Sequence, residues 1–282
     1  MPELPEVETV ARGVHRRVRG QRIVQVWFGS HKQPFKTPAA CQAKELDGRA
    51  ILAVHRTGKH IVCELGAPHF EPLDESSGEV GAQWIVHLGM TGRLLVTTPA
   101  APLVPHTHAR LGLSGGKELR FVDPRRFGRL ELRLLKRDAS FSAPGKEPLA
   151  IGTEEFAGLF HRRRLPIKAA LLNQTLLAGV GNIYADESLF QAGIRPRRRC
   201  ERLSKAELER LRLALQQVLL AAIRLGGSSV SDYVDADGVR GFFQLEHCVY
   251  QRTGLPCRRC ETPIRRILVA GRGTHYCPQC QH

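Results

Sequence analysis

Nothing in this 282-residue chain approaches the roughly 18 consecutive apolar residues of a membrane-crossing helix. The opening MPELPEVETV carries charges where a secretory signal would need an apolar core. A spanning or exported protein is therefore not expected, and a cytoplasmic address is. An amphipathic basic helix with an aromatic anchor face is also missing, which argues against membrane attachment. Acidic residues are in short supply: 27 Asp and Glu stand against 42 Lys and Arg, a formal charge of +15 with His neutral. A field of that sign gathers polyanions, so nucleic acid is the first partner to test. A merely solvated basic surface would carry the same charge. Tandem repeats are absent. In a reducing compartment the eight cysteines read as metal ligands or thiols, not disulfides.

What is present falls into two textures. Pro5 suits the first turn of a helix, and Val7, Val10, Val14 and Val18 then share one face. Glu3 and Glu6 lie at that helix's positive end. From about 21 to 133 the chain turns β-rich: RIVQVWF, then AILAVHRTGKHIVCEL, QWIVHLGMTGRLLVT and ARLGLSGGKELRFV, each of the last three read as a hairpin with glycine at its turn. Loops at 66–82 and 97–107 separate them. The pattern predicts an antiparallel sandwich or barrel behind a leading helix. Residues 136–150 read as a linker. Beyond it Ser204 and Glu207 form a capping box ahead of Leu208, Leu211, Leu215 and Val218, and Gly226-Gly227 stops that helix. The expected division is 1–135 β-sandwich, 136–150 linker, 151–246 helical domain and 247–282 metal-binding segment, an α+β class overall.

CRRC at 257–260 and CPQC at 277–280 have the spacing of a four-thiolate zinc ribbon, with IRRILVAGRGTHYC returning as a hairpin. Cys257, Cys260, Cys277 and Cys280 would close the coordination sphere, making one Zn2+ structural. No thioredoxin-like pattern surrounds them, which disfavours redox pairs. Cys41, Cys63, Cys200 and Cys248 read as ordinary semi-buried thiols. Arg265, Arg266 and Arg272 on the hairpin suit phosphate contact, and a solvated surface would look the same.

In LLNQTLLAGVGNIYADESLFQAGIRPRRR (171–199), Gly179 and Gly181 permit a tight turn and Asn182 could cap the next helix. The start of that helix is a possible phosphate seat, and equally an ordinary helix–turn–helix packing unit.

Several separated motifs agree with one family. PELPEVET at the start, GKH at 58–60, HLGMTG at 87–92, DPRRFG at 123–128, GVGNIYADESLFQAGI at 179–194 and the terminal GRGTHYCPQCQ span the whole chain in order. The sequence resembles bacterial formamidopyrimidine-DNA glycosylases, base-excision repair enzymes for oxidised purines. The resemblance implies a β-sandwich joined to a helix–two-turn–helix domain and a zinc finger. It also implies action on duplex DNA that holds oxidised bases or abasic sites; a monomer is the default expectation.

It further implies site residues. Pro2, once Met1 is removed, is the nucleophile. An α-amino group has a reference pKa of about 7.7–8.0, so a neutral fraction exists near pH 7. Its attack on the sugar C1′ gives an iminium after base loss, and elimination of the 3′ and 5′ phosphates follows. Glu3 is the general acid/base, Glu6 supports it, and Lys59 contacts the lesion phosphate. A helix start would favour proline and acids anyway, although Pro5 already fills that place, and Lys59 also fits a solvated turn. His87, Asn182, Tyr250 and Arg272 would grip the backbone around the damaged nucleotide. Met90, Arg125 and Phe127 would fill the gap left by the extruded base, Arg125 facing the orphaned partner, normally cytosine. Lys168 matches a lysine associated with lesion recognition, and 228–244 the loop over the everted base. Asn173 and Thr91 depart from the family's usual aspartate and glutamate or serine. A sister enzyme for oxidised pyrimidines, in which glycine usually replaces Leu4, and a non-catalytic DNA-binding protein are the rival readings.

Overall fold

The computed structural model describes residues 1–31, 34–68, 79–229 and 233–282. It forms two compact units, each holding two stretches of chain. One comprises Met1–Ser142 with Gly226–Gly241, and the other Ala143–Leu225 with Phe242–His282. The described residues 226–229 and 233–241 thus pack with the N-terminal unit, although their sequence position lies within the helical span.

In the first unit, α1 (Leu4–Val18) buries Val7, Val10, Val14 and Val18 completely, as its spacing requires. Among the described residues eight strands follow: β1 (Ile23–Phe28), β2 (Arg49–Thr57), β3 (His60–Pro68), β4 (Ala82–His87), β5 (Arg93–Thr97), β6 (Thr107–Leu113), β7 (Glu118–Val122) and β8 (Arg129–Leu134). A short helix α2 (Ala39–Leu46), not foreseen in the sequence, precedes β2. The strands pair antiparallel in two sheets, β1-β6-β7-β5 and β2-β3-β4-β8. Hairpins β2–β3 and β6–β7 match the sequence reading. The expected β4–β5 hairpin is corrected: these strands belong to different sheets, and Leu88–Gly92 carries the chain from one to the other. Gly92 donates its N–H to the Leu88 carbonyl at 2.8 Å, and a Cβ at Gly92 would lie 2.2 Å from that oxygen. Only glycine makes so tight a crossing. The α1 valines, Ile61, Val86, Leu94 and Phe121 share one core.

In the second unit, α3 (Thr153–Phe160) and α5 (Asn182–Ala192) both pack on α6 (Lys205–Arg224), while α4 (Ile167–Leu171) leads through a tight turn into α5. Gly179 in that turn has φ +89°. Ser204 caps α6, accepting the Glu207 N–H at 3.2 Å, while Glu207 accepts the Ser204 N–H at 2.8 Å. The two glycines after α6 have φ of +74° and +84°, so the helix ends where expected. Asn182 does not cap α5. Gly181 is the N-cap, and Asn182 is the first helical residue. Strands β9 (Arg265–Val269) and β10 (Arg272–Tyr276) form the C-terminal hairpin. Among the described residues no helix is long and apolar enough to cross a membrane.

Candidate nucleic-acid interface and metal centre

Pro2, Glu3 and Glu6 are all buried, which is unusual for the first residues of a chain. The Glu6 carboxylate sits 2 % exposed and is shared between two backbone donors. One oxygen accepts the Glu3 N–H at 2.8 Å and the other the Ser228 N–H at 2.7 Å. Tyr233 adds a hydrogen bond from its hydroxyl to the Glu6 carbonyl at 3.2 Å. The start of α1 is therefore locked to Ser228 and Tyr233. Part of the expected lesion loop, residues 230–232, lies outside the described residues, as do 69–78 of the long 66–82 loop.

Lys59 occupies the β2–β3 turn, where Gly58 has φ +60°. Arg56 ties this turn to α1, donating to Glu8 at 2.8 Å and to the Gly58 carbonyl at 3.1 Å. His87, at the end of β4, accepts the Gly89 N–H on Nδ1 at 3.2 Å. That bond assigns the proton of the neutral ring to Nε2, leaving Nε2 as a donor. Burial lowers the His87 pKa, with Lys59, Arg129 and Lys36 acting in the same direction. His60 lies 4.8 Å from it, centroid to centroid, and burial pushes its imidazole down to about 4, with His87 and Lys36 adding to the shift.

Met90 and Phe127 are 41 % and 49 % exposed, so neither is a core residue. Arg125 lies over the Phe127 ring at 5.0 Å. Their loops are organised by Asp123, which is fully buried. One of its oxygens accepts the Thr91 hydroxyl at 2.6 Å and the Arg125 N–H at 3.3 Å; the other accepts the Gly128 N–H at 2.7 Å. A Cβ on Gly89 would meet the backbone of Phe127 and Gly128 at 2.5 Å, so the Met90 loop and the 123–128 turn are in close contact. Thr91, a departure from the family pattern, is a structural tie between them. Asp123 escaped notice as an individual residue, although Asp-Pro at the head of a glycine-closed turn is a recognisable side-chain-to-backbone turn.

In the second unit, Glu187 on α5 is 4 % exposed and accepts the N–H groups of Cys248, Val249 and Tyr250 at 2.9, 3.0 and 2.8 Å. This carboxylate, also missed in the sequence, fixes the backbone that carries Tyr250. Asn182 donates to the Gly273 carbonyl at 3.0 Å, next to the exposed Arg272. Lys168, expected from the resemblance to act in lesion recognition, lies on α4 in this unit. Its side chain is 0 % exposed, and its ammonium is committed inside the fold, 2.6 Å from Asp186 and 2.8 Å from the Thr274 hydroxyl. Asn173 closes a local turn, accepting the Thr175 N–H at 2.9 Å.

The ligand atoms of Cys257, Cys260, Cys277 and Cys280 all lie within 4.8 Å of one another. Sulfur separations of 3.9, 3.5 and 3.3 Å fit a tetrahedron with zinc–sulfur bonds of about 2.3 Å. Backbone N–H groups of Arg259 and Cys280 point at Cys257 and Cys277 sulfurs at 3.4 Å, which stabilises thiolate charge. The residues fit one structural Zn2+. Cys63 and Cys200 are buried and Cys248 is intermediate; Cys41 is exposed, contrary to the semi-buried expectation.

Family models match nearly the whole chain: the formamidopyrimidine-DNA glycosylase N-terminal domain at 1–130, the H2TH domain of the same enzymes at 145–234, and a zinc finger found in FPG and IleRS at 254–282. A formamidopyrimidine-DNA glycosylase of Solibacter usitatus is 45 % identical over 283 residues, covering 100 % of this chain and 99 % of the relative. A Lactococcus lactis FPG mutant, solved in complex with Fapy-dG-containing DNA, superposes with a TM-score of 0.86 at 35 % identity, covering 100 % of both chains. The Lactococcus lactis protein with DNA containing an abasic site gives 0.85 at 35 % identity, covering 99 % of each.

Proposed function

The chain belongs to the formamidopyrimidine-DNA glycosylase family, and on that premise we propose that it removes oxidised purines from duplex DNA through an imine on Pro2 and then cleaves the abasic strand. As a member it is a DNA glycosylase with abasic-site lyase activity. The observation that carries the mechanistic reading is the buried Glu6 carboxylate, bonded to the Glu3 and Ser228 N–H groups. It holds the residue next to Pro2 still, and an effective nucleophile requires that.

With Met1 removed, the Pro2 nitrogen attacks C1′ of the damaged nucleotide, and the C1′–base bond breaks as the base leaves with its electron pair. Glu3 assists by proton transfer at the sugar. The Pro2 nitrogen gives up its proton, and Glu3 protonates O4′ as the C1′–O4′ bond breaks and the nitrogen lone pair forms a C1′ iminium, which acidifies the C2′ proton. Its loss expels the 3′ phosphate, and a second elimination expels the 5′ phosphate. Lys59, on its braced turn, would contact the lesion phosphate. His87 donates to phosphate through Nε2 as a neutral ring. Asn182, Tyr250 and Arg272 contribute backbone contacts from the second unit. Met90, Arg125 and Phe127 enter the space vacated by the base, at a cost in unstacking that the bent duplex offsets.

Zinc, bound by Cys257, Cys260, Cys277 and Cys280, closes the hairpin that presents Arg272 and takes no part in the reaction. Residues 1–135 would supply the chemistry, 151–246 and 247–282 the grip on DNA. The strongly basic chain would work where the chromosome lies, in the bacterial cytoplasm.

Borohydride reduction in the presence of lesion-bearing duplex tests this reading. Covalent trapping mapped by mass spectrometry to Pro2 is expected. Absence of trapping by zinc-loaded protein with Met1 removed would make the chain a binder, not an enzyme.

A further inference from the structure

Arg272 opens β10, and the three residues that follow are held by side chains of α4 and α5. The Gly273 carbonyl accepts Lys168 Nζ at 3.1 Å and Asn182 Nδ2 at 3.0 Å. The Thr274 hydroxyl receives Lys168 at 2.8 Å and donates to the carbonyl of Arg272 itself at 3.0 Å. Asp186 takes the Lys168 ammonium on one oxygen at 2.6 Å and the His275 N–H on the other at 2.8 Å. Lys168, Asp186 and Thr274 are all 0 % exposed.

Burying an ammonium and a carboxylate carries a large desolvation cost, and apolar replacements of the same volume are often as stable or more so. Stability alone is therefore a poor reason for this pair. Its geometry supplies a better one. The hairpin tip beyond Arg272 is the two-residue turn Ala270-Gly271, with φ of +49° and +71°. The metal closes the opposite end, where Cys277 follows the last residue of β10. Between the two, the ion pair sets where the first residues of β10 lie.

We infer that Asp186 and Lys168 form a positioning post for Arg272: they touch no nucleic acid, but fix the backbone from which the exposed guanidinium meets a DNA phosphate. This rests on the proposed function, because it takes Arg272 as a DNA contact. A guanidinium grips phosphate through a fork of fixed geometry, so a displaced Cα forfeits the contact.

The test is a double-mutant cycle read by affinity for duplex carrying a tetrahydrofuran abasic analogue, measured over a range of salt. Arg272→Ala is made in the native chain and in a Lys168→Met/Asp186→Leu chain. In the native background the substitution should reduce the slope of log affinity against log salt by about 0.9, one phosphate contact. In the paired background that slope is already reduced, and Arg272→Ala should add nothing. An equal cost of Arg272→Ala in both backgrounds overturns the inference, whatever the melting temperatures. Should the paired chain fail to fold, Thr274→Val severs only the hydroxyl link. The cost of Arg272→Ala must then shrink, and an unchanged cost is equally fatal. A native chain that binds no lesion duplex at all refutes the functional reading; a native chain that binds with an additive cycle refutes only the post.

Discussion

Glu6 and Ser228, 222 residues apart, are joined by a 2.7 Å hydrogen bond from the Ser228 N–H to a buried carboxylate oxygen. The same carboxylate accepts the Glu3 N–H, so one side chain couples the start of α1 to the segment after α6. Glu6→Gln keeps one acceptor but turns an amide N–H toward a second donor. Charge-assisted bonds of this kind contribute about 1.5–3 kcal/mol, and denaturant unfolding should show a loss of that order. Borohydride trapping in single turnover should slow at least as much as stability falls. Native trapping rates in this variant would mean that Glu6 does not position the nucleophile.

Asp123 makes a second prediction. Asp123→Asn points an amide at the Thr91, Arg125 and Gly128 donors and should loosen the turn that carries Phe127. Excision is expected to fall about tenfold or more, equivalent to about 1.4 kcal/mol in the barrier. Binding to undamaged duplex should hardly change. Thr91→Val loses a single hydrogen bond, worth about 1 kcal/mol, and should show a milder form of the same defect. Equal losses on damaged and undamaged DNA would place the effect elsewhere.

The histidine pair predicts a pH dependence. His60 is pushed from 6.5 down to about 4, and His87 is lowered in the same direction. Below its ordinary pKa the unfolded chain takes up a proton that the folded chain refuses. The stability that His60 contributes is therefore complete above about 6.5 and lost as pH falls toward about 4, and His87 acts in the same direction. Nearby Glu131 opposes the shift of His60, and Lys36 reinforces it. Urea midpoints measured from pH 7 to 4 should decline less steeply for His60→Gln than for the native chain. Parallel curves would remove His60 from the account.

Removing zinc should free the C-terminal hairpin. Four thiolates left without a metal repel one another, and a small hairpin has little core to hold it. Amide exchange in 254–282 should accelerate on chelation, with DNA affinity lost and both restored by added Zn2+. Unaltered protection after chelation would show that the hairpin stands without metal.

Features confined to a few consecutive residues were legible in the chain. The paired CxxC motifs define the metal site because two close cysteines preset a knuckle. The valines of α1 and the Ser204–Glu207 box declare themselves because helical neighbours lie three and four residues apart. The strongly positive balance likewise announced a polyanion partner. Strand partners were another matter: alternation tells a strand which face to bury, but not which strand to join. Only the fold put β4 and β5 in different sheets. Nothing in the sequence joined Lys168 to Asp186, whose carboxylate lies 2.6 Å from its ammonium in the fold. Glu6–Ser228 and Thr91–Asp123 depend on contacts between distant segments, which a linear sequence does not display. The sequence determined which chemical groups were available and the helices and turns that carry them. The tertiary structure decided which of them meet, because a hydrogen bond depends on distance in space and is indifferent to separation along the chain.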